Sequence, residues 1–487
     1  MFIGLDLGTT NLKAVAVDGR GGVLARASQP IAVRHVPGGG VEQDIEEMIG
    51  VMVEVLRSLA AGCDLSAAEA VGVSAQGGAL QLLDAAGRPV GPVISWMDGR
   101  GRPFDEAFMR AHGPEWMIEH IGHGMSALTI GQILRLREES PGRLRPGAQI
   151  GFVGDVLVSA LCGVRAHDAT SLSLGFLYNP RSRSADAALL AELGLMESQL
   201  PRLMDARTPA GPLTAAAADA TGLPAGIPVS PAVHDQYAAA LAVGVVSPGR
   251  VMIGTGTAWV LLAVTESLPR PVAGKGLVCT HVIDGLYGQI LSMGNGGSSV
   301  TWACGVLGMP DRGLELEGAL ATVEPGADGV RFWPLLAGFD PAGVPPGATG
   351  RFTGLRLGTT ARHLVRAVVE GVVLELGRHL CLWRSEGLKI ERLILCGGAA
   401  AGTITPQIVA DVAGVEVACT RESEASALGA AILGRGLVER ERSLAEIALG
   451  SPLAMTTYRP GPHRGRYSAM LDEYVAAIDA LAAGGVP

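Results

Sequence analysis

Twice in its 487 residues the chain runs an apolar strand into a turn of glycine and threonine and out again into a second strand. The first copy is Phe2–Leu7, then Gly8-Thr9-Thr10-Asn11, then Leu12–Val17. The second is Val251–Ile253, then Gly254-Thr255-Gly256-Thr257, then Trp259–Val264. Apolar runs on either side of a glycine-rich turn read as hairpins. Their reappearance near the midpoint is the trace a duplicated domain would leave. The length is too great for one core, so two domains are expected. A hydrophobic fraction of 48% describes a chain that buries a large core.

Charge narrows the partners. A net charge of −9 argues against general binding of nucleic acid or acidic membranes, because both need a basic field. A phosphate ligand remains open where backbone N–H groups and a metal hold it. The seven cysteines, at 63, 162, 279, 304, 381, 396 and 419, form no CxxC and read as reduced thiols. The strand-like start MFIGLDLG leaves no room for a leader, and no apolar run reaches spanning length. A cytoplasmic protein is the expectation.

Taken in order, the N-terminal meander adds a third strand over 22–28. Asp6 sits at the mouth of the first hairpin and Lys13 beyond it. The hairpin reads either as a phosphate turn with Asp6 near a cation or as an ordinary hairpin turned by Gly8. Asp44 precedes a helix with Ile45, Met48, Met52, Val55 and Leu56 on one stripe, and caps it; Glu42 and Gln43 lie at a pocket edge or simply flank that cap. Strand 70–74 runs into Gln76-Gly77-Gly78. Strand 93–95 ends in Trp96-Met97-Asp98-Gly99-Arg100, an apolar wall beside an acceptor and a forked donor. That set suits a polyhydroxylated ligand, although a tryptophan over an Asp98–Arg100 salt bridge is the plainer reading. His120 and His123 lack a third ligand nearby and read as surface or turn histidines.

His234-Asp235-Gln236 opens a helix of small residues, with Asp235 placed for proton chemistry or as a cap. Residues 361–383 form a long helix in which the Arg366–Glu370 pair is expected to be exposed. Strand 391–396 opens into Gly397-Gly398-Ala399, which lacks GxGxxG spacing and is a weak Rossmann signal. The helix over 424–433 carries Ala425, Ala427, Gly429, Ala430 and Ala431, small enough for very close packing.

With these pieces laid out, GLDLGTTNLKA, EQD at 42–44, WMDGR, HDQYAAAL, GTGT, GGAAAG, QIVADVAG and EASALGAAILG occur in the order found in FGGY carbohydrate kinases. The chain resembles that family, of the actin/hexokinase/Hsp70-like ATPase superfamily, over nearly its whole length. The resemblance implies an α/β protein of two ribonuclease-H-like domains flanking a central cleft. Residues 1–246 would mainly bind sugar and 247–487 mainly bind ATP. It also implies an ATP-dependent kinase of a small sugar or polyol, such as xylulose or a related ketose, with no nucleic-acid or membrane partner and a homodimer as one possible assembly.

The resemblance further implies Asp235 as general base and Asp6 as the carboxylate holding Mg²⁺ through its water shell. Gly8, Thr9, Thr10, Asn11 and Lys13 fall on the first phosphate hairpin, and Gly254, Thr255, Gly256 and Thr257 on the second. Gly397, Gly398 and Ala399 fall on the adenosine turn. Gln76, Trp96, Asp98, Arg100, Asp235 and Gln236 fall on the sugar side.

Two departures bear on the acceptor. Gly77-Gly78 stands where xylulose kinases have Met-His and glycerol kinases Arg-Glu after the glutamine. Residues 335–341 read LLAGFDP in place of a GER-containing turn. Both tell against xylulose, and the glycine pair suggests an open corner for a longer or branched sugar. Two other classes compete: a catalytically silent ATP- and sugar-binding regulator, and a chaperone-like ATPase. Asp6, Asp235 and both phosphate turns weigh against the first. The absence of a further β-rich module weighs against the second.

Overall fold

The computed structural model describes residues 1–144, 147–336, 344 and 348–482. By contact the chain forms two compact units. The first comprises Met1–Val246, Glu266–Gly288 and Glu424–Pro452; the second comprises Ser247–Thr265, Gln289–Ser423 and Leu453–Pro487.

The sheet of the first unit runs, edge to edge, through Val23–Pro30, Asn11–Val17, Phe2–Leu7, Ala70–Ala75, Pro228–His234, Ala166–His167 and Arg202–Leu203. The first three strands are an antiparallel meander. From Phe2–Leu7 onward the neighbours are parallel. Alternation decides the faces. Ile3, Leu5 and Leu7 join Val71 and Val73 in one core with Met48, Met52, Val55 and Leu56 of helix Ile45–Ser58. Asp44 caps that helix by accepting the N–H groups of Glu46 and Glu47.

Gly4 and Gly72 lie on the opposite face, under helix Ala425–Val438. A Cβ at Gly4 would land on the carbonyl oxygen of Ala427, and one at Gly72 on that of Ala430. Gly429 meets the carbonyl of Ala238, in helix Asp235–Ala242, in the same way. The small residues of 425–434 are therefore a packing requirement. Two helices and a sheet meet there at backbone distance.

The sheet of the second unit contains, in order, Tyr287–Met293, Trp259–Thr265, Gly249–Thr255, Ile390–Gly397, Glu416–Cys419 and Thr456–Tyr458. Gly249–Thr255 is antiparallel to its hairpin partner and parallel to Ile390–Gly397. Phe2–Leu7 stands in the same relation to Asn11–Val17 and Ala70–Ala75. The echo in the sequence is thus a repeated strand arrangement.

Helix Ala361–Ser385 corrects one expectation: the Arg366–Glu370 pair is buried, with side chains 6% and 1% exposed. The helix is enclosed along most of its length, so the side away from its leucine stripe faces protein too. Glu370 Oε1 accepts from Arg366 Nε, the Gly326 N–H and the Tyr467 hydroxyl, all at 2.8 Å. That shell is what makes a buried carboxylate tolerable.

Candidate active site

Asp6 lies near the end of the first strand, opposite Lys13 and beside Ser74 in register. The Ser74 hydroxyl donates to Asp6 Oδ1 at 2.8 Å. Burial, and next the charge of Asp235, push the Asp6 carboxyl up to about 7. Ser74 and Lys13 pull the other way without overcoming burial. A carboxylate raised by burial and by a second carboxylate is one that a cation would stabilise.

The turn after this strand is closed by the Gly8 N–H on the Asn11 carbonyl, and Asn11 Nδ2 donates to Thr10 Oγ1. Thr9 points elsewhere. Its hydroxyl donates to Gln76 Oε1 and accepts from Trp96 Nε1, both at 2.9 Å. Gln76 Nε2 donates to Gln43 Oε1, and Gln43 Nε2 returns to the Thr9 carbonyl at 2.8 Å. The ring Thr9–Gln76–Gln43 fixes both glutamines, and Trp96 rests on it with 46% of its surface exposed. Gln43, which the sequence left between a pocket edge and a flanking residue of the helix cap, is a central member.

Asp98 and Arg100 form the salt bridge of the plainer reading. Arg100 donates to both Asp98 oxygens and to Glu42 Oε1. The Val41 N–H and Gln132 Nε2 fill the remaining positions on Asp98. The Asp98 side chain is wholly enclosed. Burial pushes its carboxyl up, but the Arg100 and backbone hydrogen bonds outweigh that and hold it below the usual range. This pair carries the Trp96 segment and leaves Asp98 no free surface for a ligand.

Asp235 begins helix Asp235–Ala242, directly after the central strand Pro228–His234. Burial raises its carboxyl to about 6, against the lowering effect of hydrogen bonds from the Gln236 backbone and side chain. A quarter of the side chain, 25%, still reaches solvent. His234 Nε2 lies 3.2 Å from Asp235 Oδ1, and burial lowers the imidazole to about 3, so the ring is neutral at physiological pH. A largely shielded carboxylate raised to about 6 can take a proton from a hydroxyl at neutral pH.

The expected open corner at Gly77-Gly78 is closed. A Cβ on Gly77 would stand 2.5 Å from Leu174 Cβ and 2.8 Å from His234 Cδ2. One on Gly78 would stand 2.9 Å from Leu128 Cδ1. The missing side chains are replaced by neighbours from elsewhere in the chain, which a local reading could not reveal.

In the second unit, parallel register sets Gly254 beside Cys396 and Thr255 beside Gly397. The Thr255 hydroxyl donates to the Cys396 carbonyl at 2.8 Å and accepts the Ala399 N–H at 3.0 Å. It thereby ties the Gly254–Thr257 turn to the Gly397-Gly398-Ala399 turn. Gly397 needs its lack of a side chain, with φ at 97°. The carbonyls of Gly256 and Thr257 accept the N–H groups of Gly297 and Ser298, at the start of helix Gly297–Leu307. Glu317 Oε2 accepts from Thr403 and Ile404 and caps helix Ile404–Ala413. Neither contact was visible as a motif, because each joins segments far apart in the chain.

Elsewhere, His120 Nδ1 pairs with Asp186 and His123 Nδ1 accepts the Met125 N–H. Among the described residues no cluster of three or more His, Cys, Asp or Glu could hold a metal, and no helix is long and apolar enough to cross a membrane. All seven cysteines are unpaired. Of the LLAGFDP stretch, residues 337–341 lie outside the described residues.

Two α/β units with a repeated strand arrangement, each with a strand that runs into a glycine–threonine turn, agree with what the family matches show: the protein is a carbohydrate kinase, an enzyme that phosphorylates a sugar or polyol. Residues 1–242 match the N-terminal domain, and residues 251–435 the C-terminal domain, of the FGGY family of carbohydrate kinases, to which the chain belongs. It is 27% identical to a xylulose kinase of Escherichia coli (strain K12) over 471 residues, 96% of each protein. It is 31% identical to a glycerol kinase of Alkalilimnicola ehrlichii over 452 residues, 89% of each. The crystal structure of a xylulose kinase from Rhodospirillum rubrum superimposes with a TM-score of 0.87 at 27% identity, covering 98% of both chains. The family's phosphate donor is ATP.

Proposed function

We propose that this kinase transfers the γ-phosphate of ATP in line to a hydroxyl of a small ketose or polyol, with Asp235 as general base. The observation that carries the reading is the Asp235 carboxyl itself, raised to about 6 and oriented by Gln236. A base of that strength is ionised at pH 7 yet accepts a proton as the acceptor oxygen attacks, which contributes on the order of 10²–10⁴ in rate. Gln76 and Trp96 hold the acceptor, Trp96 with an apolar face and Gln76 through the amide ring. Asp98 and Arg100 position that wall. Residues 1–246 supply the sugar site and 247–487 the main ATP site.

Gly8, Thr10, Asn11 and Lys13 act on the phosphates from the first hairpin; Thr9 braces that hairpin against Gln76. Gly254, Thr255, Gly256 and Thr257 act from the second, and Gly397, Gly398 and Ala399 receive the adenosine. Backbone N–H groups at such turns suit phosphate oxygens. Mg²⁺ fits this donor set. A single raised carboxylate, Asp6, would hold it through water, in keeping with an ion that retains its waters and binds mainly to phosphates. When bound, the ion neutralises charge on the transferred group. The seven unpaired cysteines fit a cytoplasmic enzyme.

The test is ADP release by the full chain over ketopentoses, pentitols, tetritols, deoxy sugars and heptuloses, with a control lacking acceptor. Acceptor-dependent ADP is the expected result. ADP that is independent of acceptor would replace the kinase reading with an ATPase, and binding without ADP would make the protein a silent regulator.

A further inference from the structure

Just beyond the Trp96 segment the chain buries an acid without a counter-charge. Asp105, in the first turn of helix Arg102–Ile121, is enclosed on all sides. Burial pushes its carboxyl up to about 7, against the lowering influence of the Ser126 hydroxyl and the Gly131 N–H. Among the described residues the charge that acts on it, that of Glu106, has the same sign. Burying a carboxyl on those terms is costly, so what it touches matters.

It touches the start of helix Thr129–Glu139. Asp105 Oδ1 accepts the Ser126 hydroxyl at 2.6 Å. The carboxyl also presses on Gly131, where a Cβ would land on Asp105 Oδ2 and on the Gly101 carbonyl oxygen. The helix has no cap of its own, because the N-cap position holds Leu128, at a strained φ of 54°, with no side-chain bond to the first turn. An acid from another helix, set against those N–H groups and the positive end of the dipole, does the capping from outside. The same first turn carries Gln132, whose Nε2 donates to the carbonyl and to Oδ1 of Asp98, both at 3.1 Å. It therefore meets Asp105, Gly101 and Asp98 at once, and Asp98 with Arg100 carries the Trp96 segment.

We infer that Asp105 is a positioning residue of the acceptor site: by holding Ser126 and the start of helix Thr129–Glu139, it sets Gln132 on Asp98 and so fixes where Trp96 stands. It acts through Gln132 and Asp98, not on the substrate itself. This rests on the reading of Trp96 as the wall of the acceptor site. Loss of the clamp should therefore weaken the hold on the acceptor while leaving Asp235 and the nucleotide untouched.

The experiment measures kcat and both KM values by ADP release, with the acceptor of the panel that gives the highest kcat/KM. Asp105→Ala should raise the acceptor KM about tenfold, the size of a lost helix cap, with kcat and the KM for ATP within about twofold of wild type. Asp105→Asn keeps an oxygen for Ser126 and should restore most of the affinity. Gln132→Ala should raise the same KM, and Asp105→Ala/Gln132→Ala should be little worse than either alone, because the two act in one line. Should Asp105→Ala fail to fold, Ser126→Ala removes the 2.6 Å bond from the far side and should raise the acceptor KM severalfold. Thermal midpoint monitors the fold of each variant. Lower stability with the acceptor KM unchanged, effects of Asp105 and Gln132 that multiply, or an equal rise in both KM values would overturn the inference. Trp96→Ala separates it from the reading beneath it. If that variant keeps the acceptor KM of wild type, Trp96 is no wall of the site and the inference falls with that reading. If it raises the KM while the Asp105 and Ser126 variants do not, the inference alone falls.

Discussion

Replacing Asp235 by asparagine should make the enzyme worse and the fold more stable, and both effects follow from one carboxyl. The side chain is held in a setting that raises it from 3.8 to about 6. The folded protein therefore binds that proton more tightly than the unfolded chain, and stability falls as pH rises from about 4 to about 6. Above that range the ionised group costs up to about 3 kcal/mol, the equivalent of the difference in pKa. Asp235→Asn removes the cost. It also removes a charge that raises Asp6, so the Asp6 carboxyl should titrate lower and add to the gain.

The variant should melt higher than wild type at pH 7 to 8, and the difference should shrink to nothing near pH 4. Turnover should fall by about 10²–10⁴ with ATP affinity roughly intact. In wild type, kcat/KM should drop about tenfold per pH unit well below about 6, and that limb should be lost in the variant. Paired thermal melts across pH, with ADP release over the same range, test the whole chain of reasoning. Equal melting at pH 8, or turnover above a tenth of wild type, would refute it.

Four further variants have expected outcomes. Thr9→Val breaks the bonds to Gln76 and Trp96, and should raise the acceptor KM about tenfold; a change confined to the KM for ATP would return Thr9 to a phosphate role. Gly72→Ala puts a methyl on a backbone carbonyl and should cost at least about 3 kcal/mol or prevent folding. By contrast Gly50→Ala, in an exposed helical position with open space, should stabilise by about 0.5–1 kcal/mol, both read by thermal midpoint. Glu370→Gln leaves Arg366 without its buried counter-charge and should lower stability by about 3–5 kcal/mol, measured by denaturant unfolding, with Arg366→Met/Glu370→Leu recovering much of the loss.

What the sequence made legible was whatever is written locally. The hairpins and the Asp44 cap depend on near neighbours in the chain, and the structure has them as expected; the small residues of helix Ala425–Val438 signal close packing by themselves, but not that Gly4, Gly72 and Ala238 are what they pack against. The bonds that organise the candidate site join distant residues: Thr9 with Gln76 and Trp96, Thr255 with Ala399, Asp98 with Gln132. No spacing rule reports those. The two misreadings have the same origin. Arg366–Glu370 has the pattern of an exposed pair, and what encloses it comes from far along the chain: the Leu320 carbonyl, the Gly326 N–H and the hydroxyl of Tyr467, 101 positions beyond Arg366. Gly77-Gly78 suggests empty space, and Leu128 and Leu174 fill it.

The glycine-to-carbonyl seams beneath helix Ala425–Val438 also say something about how the protein is born. The first unit cannot finish its own interior until Glu424–Pro452 has been synthesised, long after its opening strands have left the ribosome. Until then the face of the sheet that carries Gly4 and Gly72 lacks the helix that meets those glycines, and closing it requires contacts of very high sequence separation. A fragment ending at Val246 would therefore be a folding intermediate with an uncovered sheet, prone to aggregate. Adding residues 424–452 as a separate peptide should rescue its solubility.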